Sequence, residues 1–244
     1  MCLYAGGVVL NDYFDRDLDA VERPERPIPG GRVPATHAAT LGIALLVAGV
    51  LAASQATRDA LFVAAAIAAF VLLYDARTKR HPIVGPVNMG LCRGLNLLIG
   101  VSAVPAAVWV GWPIALFSLV YIAAVTTVSR GEVHGGRTTA ATLALISLVG
   151  VVTGLLALAS RSTTGRIAGI VLVAALAYRV LPPFWQVVKE PQPIVIRRAV
   201  RAGVLSLVLV DSAISASYAG PFYAAAVLAT GLVAGSLARL FSVT

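Results

Sequence analysis

Residues 1–32 read MCLYAGGVVLNDYFDRDLDAVERPERPIPGGR, and how far a helix runs through them decides the fold. The first ten residues are apolar and cover about 15 Å as a helix, half the thickness of a bilayer's hydrocarbon. They have no basic n-region and no cleavage pattern of a secretory leader. Such a helix gains a useful length only by continuing through the acidic residues that follow. Two explanations are expected together: the helix ends at a cavity rather than at bulk water, and the chain starts late, without an upstream helix. Six of the eleven acidic residues in the chain lie between Asp12 and Glu25.

The rest of the chain is poor in polar material. Of 244 residues, 59% are hydrophobic and 12% charged, with a mean hydropathy of +0.88. That leaves too little polar surface to cover a soluble domain, so the composition predicts a polytopic, all-α transmembrane bundle in the lipid bilayer. Apolar stretches predict eight full spans near residues 37–54, 60–75, 87–107, 112–128, 139–159, 166–182, 199–218 and 221–242, after the partial first helix. No repeat or linker divides them, so residues 1–244 are expected to form one membrane domain. Alternating the spans puts twelve Lys and Arg on one side, among them Arg16, Arg26, Lys79, Arg130 and Arg197, against Arg58, Arg161 and Arg166 on the other. The richer side is cytoplasmic by the positive-inside rule, which places the acidic stretch at the cytoplasmic face of the cell (inner) membrane. The net charge of +8 belongs to those loops. No basic run is interleaved with aromatics, so nucleic acid is not an expected partner. Cys2 and Cys92 are too far apart for a metal-binding pair, and His37, His81 and His134 show no ligand spacing.

On a helix, Asn11, Asp15 and Asp19 are spaced four apart, and Asp12 lies three before Asp15 and seven before Asp19. Four oxygen-bearing side chains share one stripe, with Arg16 and Asp17 off its centre. Carboxylates this close repel unless a cation joins them, and hard oxygen ligands favour Mg2+ or Ca2+. An incomplete set on one helix leaves room for phosphate oxygens; a solvated helix end of mixed charge is the plain alternative. Arg23, Arg26 and Arg32 follow among prolines that stop the helix, and guanidinium groups beside a carboxylate–metal site suit phosphate recognition. Tyr74 to Arg80, YDARTKR, brings a second basic cluster, equally readable as a membrane anchor.

Within the segment GPVNMGLCRGLN, Asn88, Cys92 and Asn96 are spaced four apart, with Arg93 three before Asn96. An arginine in an apolar helix costs on the order of 3 kcal/mol, so Arg93 is expected to face a cavity wall or to bond backbone carbonyls. Asp211 either pairs with an interior cation or stays protonated, and reads as structural more than catalytic.

These residues carry a resemblance. NDYFDRDLD resembles the NDxxDxxxD motif of the UbiA superfamily of intramembrane prenyltransferases, at Asn11, Asp12, Asp15 and Asp19. RPIPGGR resembles that family's RPxPxG loop and Tyr74–Arg80 its YxxxxKR loop. The GPVNMGLCRGLN segment is most similar to the EboC-like branch.

The resemblance implies a helical bundle around a central cavity, with Mg2+ as cofactor and a polyprenyl diphosphate as donor. It also implies an aromatic or lipid acceptor that takes the prenyl group. Asn11, Asp12, Asp15 and Asp19 would hold metal, the three aspartates being catalytic. Arg26, Lys79, Arg80 and Arg130 would contact diphosphate, and Tyr74, Asn88, Arg93 and Asn96 would line the cavity. A second motif, DxxxD, is expected where this chain reads Ser129-Arg130-Gly131-Glu132-Val133, so only Glu132 remains as a second metal ligand. That departure supports an alternative, a catalytically weak relative that binds or transports a prenyl lipid or a small aromatic metabolite. An ion-coupled transporter built on Arg93 and Asp211 finds no support in broken helices or two-half symmetry.

Overall fold

A computed structural model describes residues 1–240, and every element among them is helical. Contacts divide the chain into two compact units, residues 1–115 and the residues from 116 onward. The first contains α1 (Cys2–Glu22), α2 (Ala35–Ser54), α3 (Arg58–Leu73), α4 (Val84–Val101) and the short α5 (Ala107–Gly111). The second contains α6 (Ala115–Ser129), which begins at the boundary, then α7 (Thr138–Arg161), α8 (Arg166–Lys189), α9 (Pro193–Ala219) and α10 (Pro221–Leu240). Among the described residues, seven helices are long and apolar enough to cross a membrane.

Helix α1 does run on through the acidic stretch, 21 residues in all, or about 30 Å. It stops where Arg23 precedes Pro24, because a residue before proline is pushed out of the helical region; Arg23 has φ −146° and ψ 63°. In lipid, helices are held together mainly by close van der Waals contact rather than by expulsion of water. The α1–α2 pair shows how. Leu3, Gly6 and Leu10 face Gly42, Leu46 and Gly49, and a Cβ on Gly42 would come within 2.6 Å of Leu10 Cγ, one on Gly49 within 2.7 Å of Leu3 Cγ. The leucines sit in the space those two glycines leave. Val63 and Ile67 of α3 then pack with Leu98 of α4, and Leu3, Val71, Leu95 and Ile99 close around them.

The second unit uses heptad-like stripes. Ala141, Ala144, Leu148, Val151, Leu155 and Ala159 are buried along α7, and Val173, Leu176, Val180, Phe184 and Val187 along α8. Spacings of three and four keep each stripe on one side of its helix. Tyr121 of α6, fully buried, donates its hydroxyl to Gly203 O of α9 at 2.7 Å.

Several boundaries differ from the sequence expectation. The span expected at 60–75 continues through a wide turn, Tyr74–Thr78, closed by Lys79 N donating to Tyr74 O at 3.0 Å. The span expected at 87–107 starts and stops earlier, at Val84 and Val101, and Pro105 precedes the separate α5. The span expected at 166–182 passes through Pro182 and Pro183 to Lys189. Prolines remove two backbone donors there, but Phe184 and Val187 beyond them are anchored in the core, and packing outweighs the lost bonds. The eighth expected span falls on α10, and its residues 241 and 242 lie outside the described residues.

Candidate functional site

At 100° per residue, the acidic stripe of α1 is about 100° wide and is not uniform. Asp12 and Asp19 lie about 20° apart around the axis, while Asn11 and Asp15 lie about 40° apart on the other flank. The structure uses that division. Arg26 Nη1 donates to Asp12 Oδ1 at 2.8 Å and to Asp19 Oδ2 at 3.0 Å. Lys79 Nζ pairs with Asp15 Oδ1, and Asn11 Nδ2 donates to Asp75 Oδ1 at 3.1 Å. One stripe expected from the spacing is therefore two faces, each joined to a different loop. Arg16 stays off both: it lies 4.7 Å from the centre of the Tyr13 ring and near Asp17.

The two loops are stiff where it matters. Arg26 sits in a turn stitched by Arg26 N to Arg23 O at 3.0 Å and Gly30 N to Arg26 O at 2.8 Å. Gly31 takes φ +70°, a conformation that side chains disfavour. On the other side, the wide turn after α3 shifts the register so that Asp75 turns inward, only 5% exposed, and Lys79 reaches Asp15. Wide turns of this kind recur at functional sites. His81 Nδ1 then accepts from Ile83 N and Val84 N and starts α4. A cleft of about 400 Å³ opens here, lined by Phe14, Asp75, Ala76, Arg77, Lys79 and Arg80. A second, of about 430 Å³, includes Arg58, Asp59 and Trp109 and holds none of the motif residues.

Burial raises the carboxyl pKa of Asp12, past the apolar half of α1; the Arg26 guanidinium offsets this, while Asp19 and Asp15 add to it. Asp19 is 6% exposed. The donor set suits Mg2+: hard side-chain oxygens from Asn11, Asp12, Asp15, Asp19 and Asp75. Among the described residues no three acidic, histidine or cysteine side chains are yet gathered closely enough to hold a metal ion. Arg26 and Lys79 occupy the carboxylates instead.

The residues expected to form one cavity wall separate. Asn88 is buried and donates to Thr78 Oγ1 at 2.8 Å, which ties α4 to the wide turn. Cys92 Sγ lies 3.8 Å from Asn88 Oδ1. Arg93 is half-buried and Asn96 exposed on the same helix, because eight residues rotate a side chain by about 80°. Tyr74 opens the wide turn and is half-buried. Asp75 was absent from the expected set, although it is the lone acidic residue between Asp59 and Glu132. That isolation, beside a basic cluster, was the available signal.

In the second unit, the turn after α6 carries Arg130, exposed, and Glu132, half-buried. Arg197 Nη1 approaches the Glu132 backbone carbonyl at 3.5 Å. Burial raises the Glu132 carboxyl pKa, and the Arg197 charge offsets part of that. Gly136 N donates to Pro191 O at 2.9 Å and ties this turn to the α8–α9 connection. Asp211 is half-buried along α9.

An all-helical membrane chain with an acidic helix end laced to two basic loops defines the class of protein. The chain belongs to the UbiA prenyltransferase family, whose model matches residues 1–193. It is 36% identical over 109 residues to a digeranylgeranylglyceryl phosphate synthase of Methanothrix thermoacetophila, covering 44% of this chain and 41% of that one. To the synthase of the same name from Methanopyrus kandleri it is 39% identical over 122 residues, 49% of this chain and 43% of that one. The matches thus span less than half the length of these curated relatives. A solved structure described as digeranylgeranylglyceryl phosphate synthase in membranes shares the fold, with a TM-score of 0.68 over 90% of this chain and 82% of that one, at 21% identity.

Proposed function

We propose that this chain is a membrane-embedded prenyltransferase that holds the diphosphate of a prenyl donor at the end of α1 and transfers the prenyl group to a lipid acceptor. One observation supports this above the rest: three carboxylates of α1 meet two cations delivered by separate loops, and Asn11 beside them bonds a fourth carboxylate, Asp75 of the wide turn. Such a cluster can exchange its internal ion pairs for a metal and a polyanion. We read residues 1–244 as one such domain, since the family match, residues 1–193, covers the first unit and continues into the second.

Asn11, Asp12, Asp15, Asp19 and Asp75 would hold Mg2+, and Arg26, Lys79 and Arg80 would bind the diphosphate oxygens. Mg2+, when bound, supplies neutralisation of charge on the leaving group. The cations add to this as the allylic C–O bond breaks and its electron pair leaves with the diphosphate. An acceptor oxygen then bonds to the allylic carbon and releases its proton. The name of the relatives describes a glyceryl phosphate carrying two geranylgeranyl chains. It supports a glyceryl phosphate lipid as acceptor over an aromatic ring, and their branch over the EboC-like one. The charge bias of the loops supports a cytoplasmic site in the cell membrane.

The test is Mg2+-dependent release of diphosphate from radiolabelled prenyl diphosphates, with a glyceryl phosphate lipid supplied. Product should form, and Asp15→Ala should abolish it while leaving the protein folded in detergent. Normal turnover in that variant would sink the assignment. Ser129 and Val133, standing where a second acidic pair is expected, favour a second reading as a prenyl-lipid binder. Donor binding without release under any condition would establish that reading instead.

A further inference from the structure

We infer that Arg26 and Lys79 are resident counter-ions that keep the carboxylates closed to free divalent metal until a diphosphate draws them away, so that metal and diphosphate bind as a coupled pair. The inference rests on the proposed diphosphate site and adds an order to it.

The geometry makes the competition direct. A single nitrogen, Arg26 Nη1, spans Asp12 Oδ1 and Asp19 Oδ2 at 2.8 and 3.0 Å. It occupies one oxygen of each of two carboxylates about two turns apart on α1, oxygens that would otherwise be open to a metal. Lys79 Nζ does the same to Asp15 from the opposite flank. Arg26 is about three-quarters buried as a side chain and Lys79 more so. Metal alone could take these oxygens only by leaving the Arg26 guanidinium in a poorly hydrated place without the two carboxylates that now neutralise it. Mg2+ also gives up its own water reluctantly.

A diphosphate removes the obstacle. It offers paired oxygens that suit a guanidinium fork and a lysine ammonium, while the freed carboxylates accept the metal. Neither backbone has to move. The Arg26 turn is held by its bonds to Arg23 O and from Gly30 N, and Lys79 N is bonded to Tyr74 O. Only side chains swing. Arg16 is excluded from the exchange, since it is engaged with Tyr13 and Asp17. Each ligand therefore favours the other by the same factor, as linkage requires.

The experiment measures Mn2+ binding, as a probe for Mg2+, by electron paramagnetic resonance on the full chain in nanodiscs. Free metal is buffered, with and without inorganic pyrophosphate. Wild type should bind Mn2+ weakly alone, and pyrophosphate should tighten it by about 5- to 150-fold, the ordinary range of coupling between sites. Arg26→Gln removes the competitor. It should tighten Mn2+ binding without pyrophosphate by at least about fivefold and shrink the coupling. Lys79→Gln is the independent second variant, and thermal unfolding checks that both fold.

If neither folded variant binds Mn2+ alone better than wild type, the exchange is overturned even though wild type binds the metal–pyrophosphate pair. If wild type binds no Mn2+ with pyrophosphate present, the diphosphate site itself falls and takes the exchange with it.

Discussion

Asp12 and Asp15 differ by three residues and about 60° of rotation, and that angle assigns them to different partners. Asp12 joins Asp19 under Arg26, and Asp15 meets Lys79. Asn88 and Asn96 repeat the lesson on α4. Asn88, 3% exposed, supports the wide turn through Thr78, whereas Asn96 is exposed. Asn88→Ala should leave the Thr78 hydroxyl unsatisfied at a cost of about 1–3 kcal/mol. That lowers the unfolding midpoint by a few degrees, at roughly 2–4 °C per kcal/mol for a chain of this size. Asn96→Ala should leave the midpoint where it is. Equal shifts in detergent-solubilised protein would disprove the division. Residue types and spacing made the motif of α1 legible in the sequence. Which cation serves which carboxylate was not, because it depends on where two loops return, and Asp75 was hidden in a cluster that reads as basic.

Elements were legible wherever charge or a helix-stopping residue coincided with a real end. Helix α1 ends at Glu22, just before Pro24, as the sequence suggests, and α7 covers the span expected at 139–159. Proline misled in α8, where Pro182 and Pro183 sit inside a helix that fully buried Phe184 and Val187 hold in place. The wide turn after α3 had no signal of its own: a helix of the ordinary pitch fits YDART equally well. Glycines carry the packing that the hydropathy profile cannot express. Gly42→Ala would put a methyl carbon 2.6 Å from Leu10 Cγ, which overpacks the α1–α2 contact and should cost about 1–3 kcal/mol. Gly150→Ala, with nothing within 4 Å of the new carbon, should be neutral or stabilising by up to about 1 kcal/mol. Thermal unfolding of the two variants checks this, and a neutral Gly42→Ala would mean that α1 can shift along α2. Because α1 carries the acidic stripe, Gly42→Ala should also weaken pyrophosphate binding, while Gly150→Ala should not.

For the molecule as a whole, composition was enough to predict a helical membrane protein, and charge bias supplies an orientation that the fold alone does not. The extension of α8 shortens the connection to α9 to residues 190–192, yet Lys189, Arg197 and Arg198 remain around that connection, so the bias is unchanged. The functional proposal depends on that orientation, because a donor and Mg2+ supplied from the cytoplasm must reach the end of α1. Single cysteines test it in a background carrying Cys2→Ser and Cys92→Ser. Val133→Cys replaces a side chain 72% exposed in the turn after α6, and Thr163→Cys lies in the exposed connection between α7 and α8. A membrane-impermeant maleimide should label Thr163→Cys in right-side-out vesicles and Val133→Cys only in inside-out ones. The connection after α1 is separated from the turn after α6 by an even number of expected spans, so it shares that side. The reverse labelling pattern would place the acidic stripe outside the cell, and a cytoplasmic prenyl diphosphate could not then be its ligand.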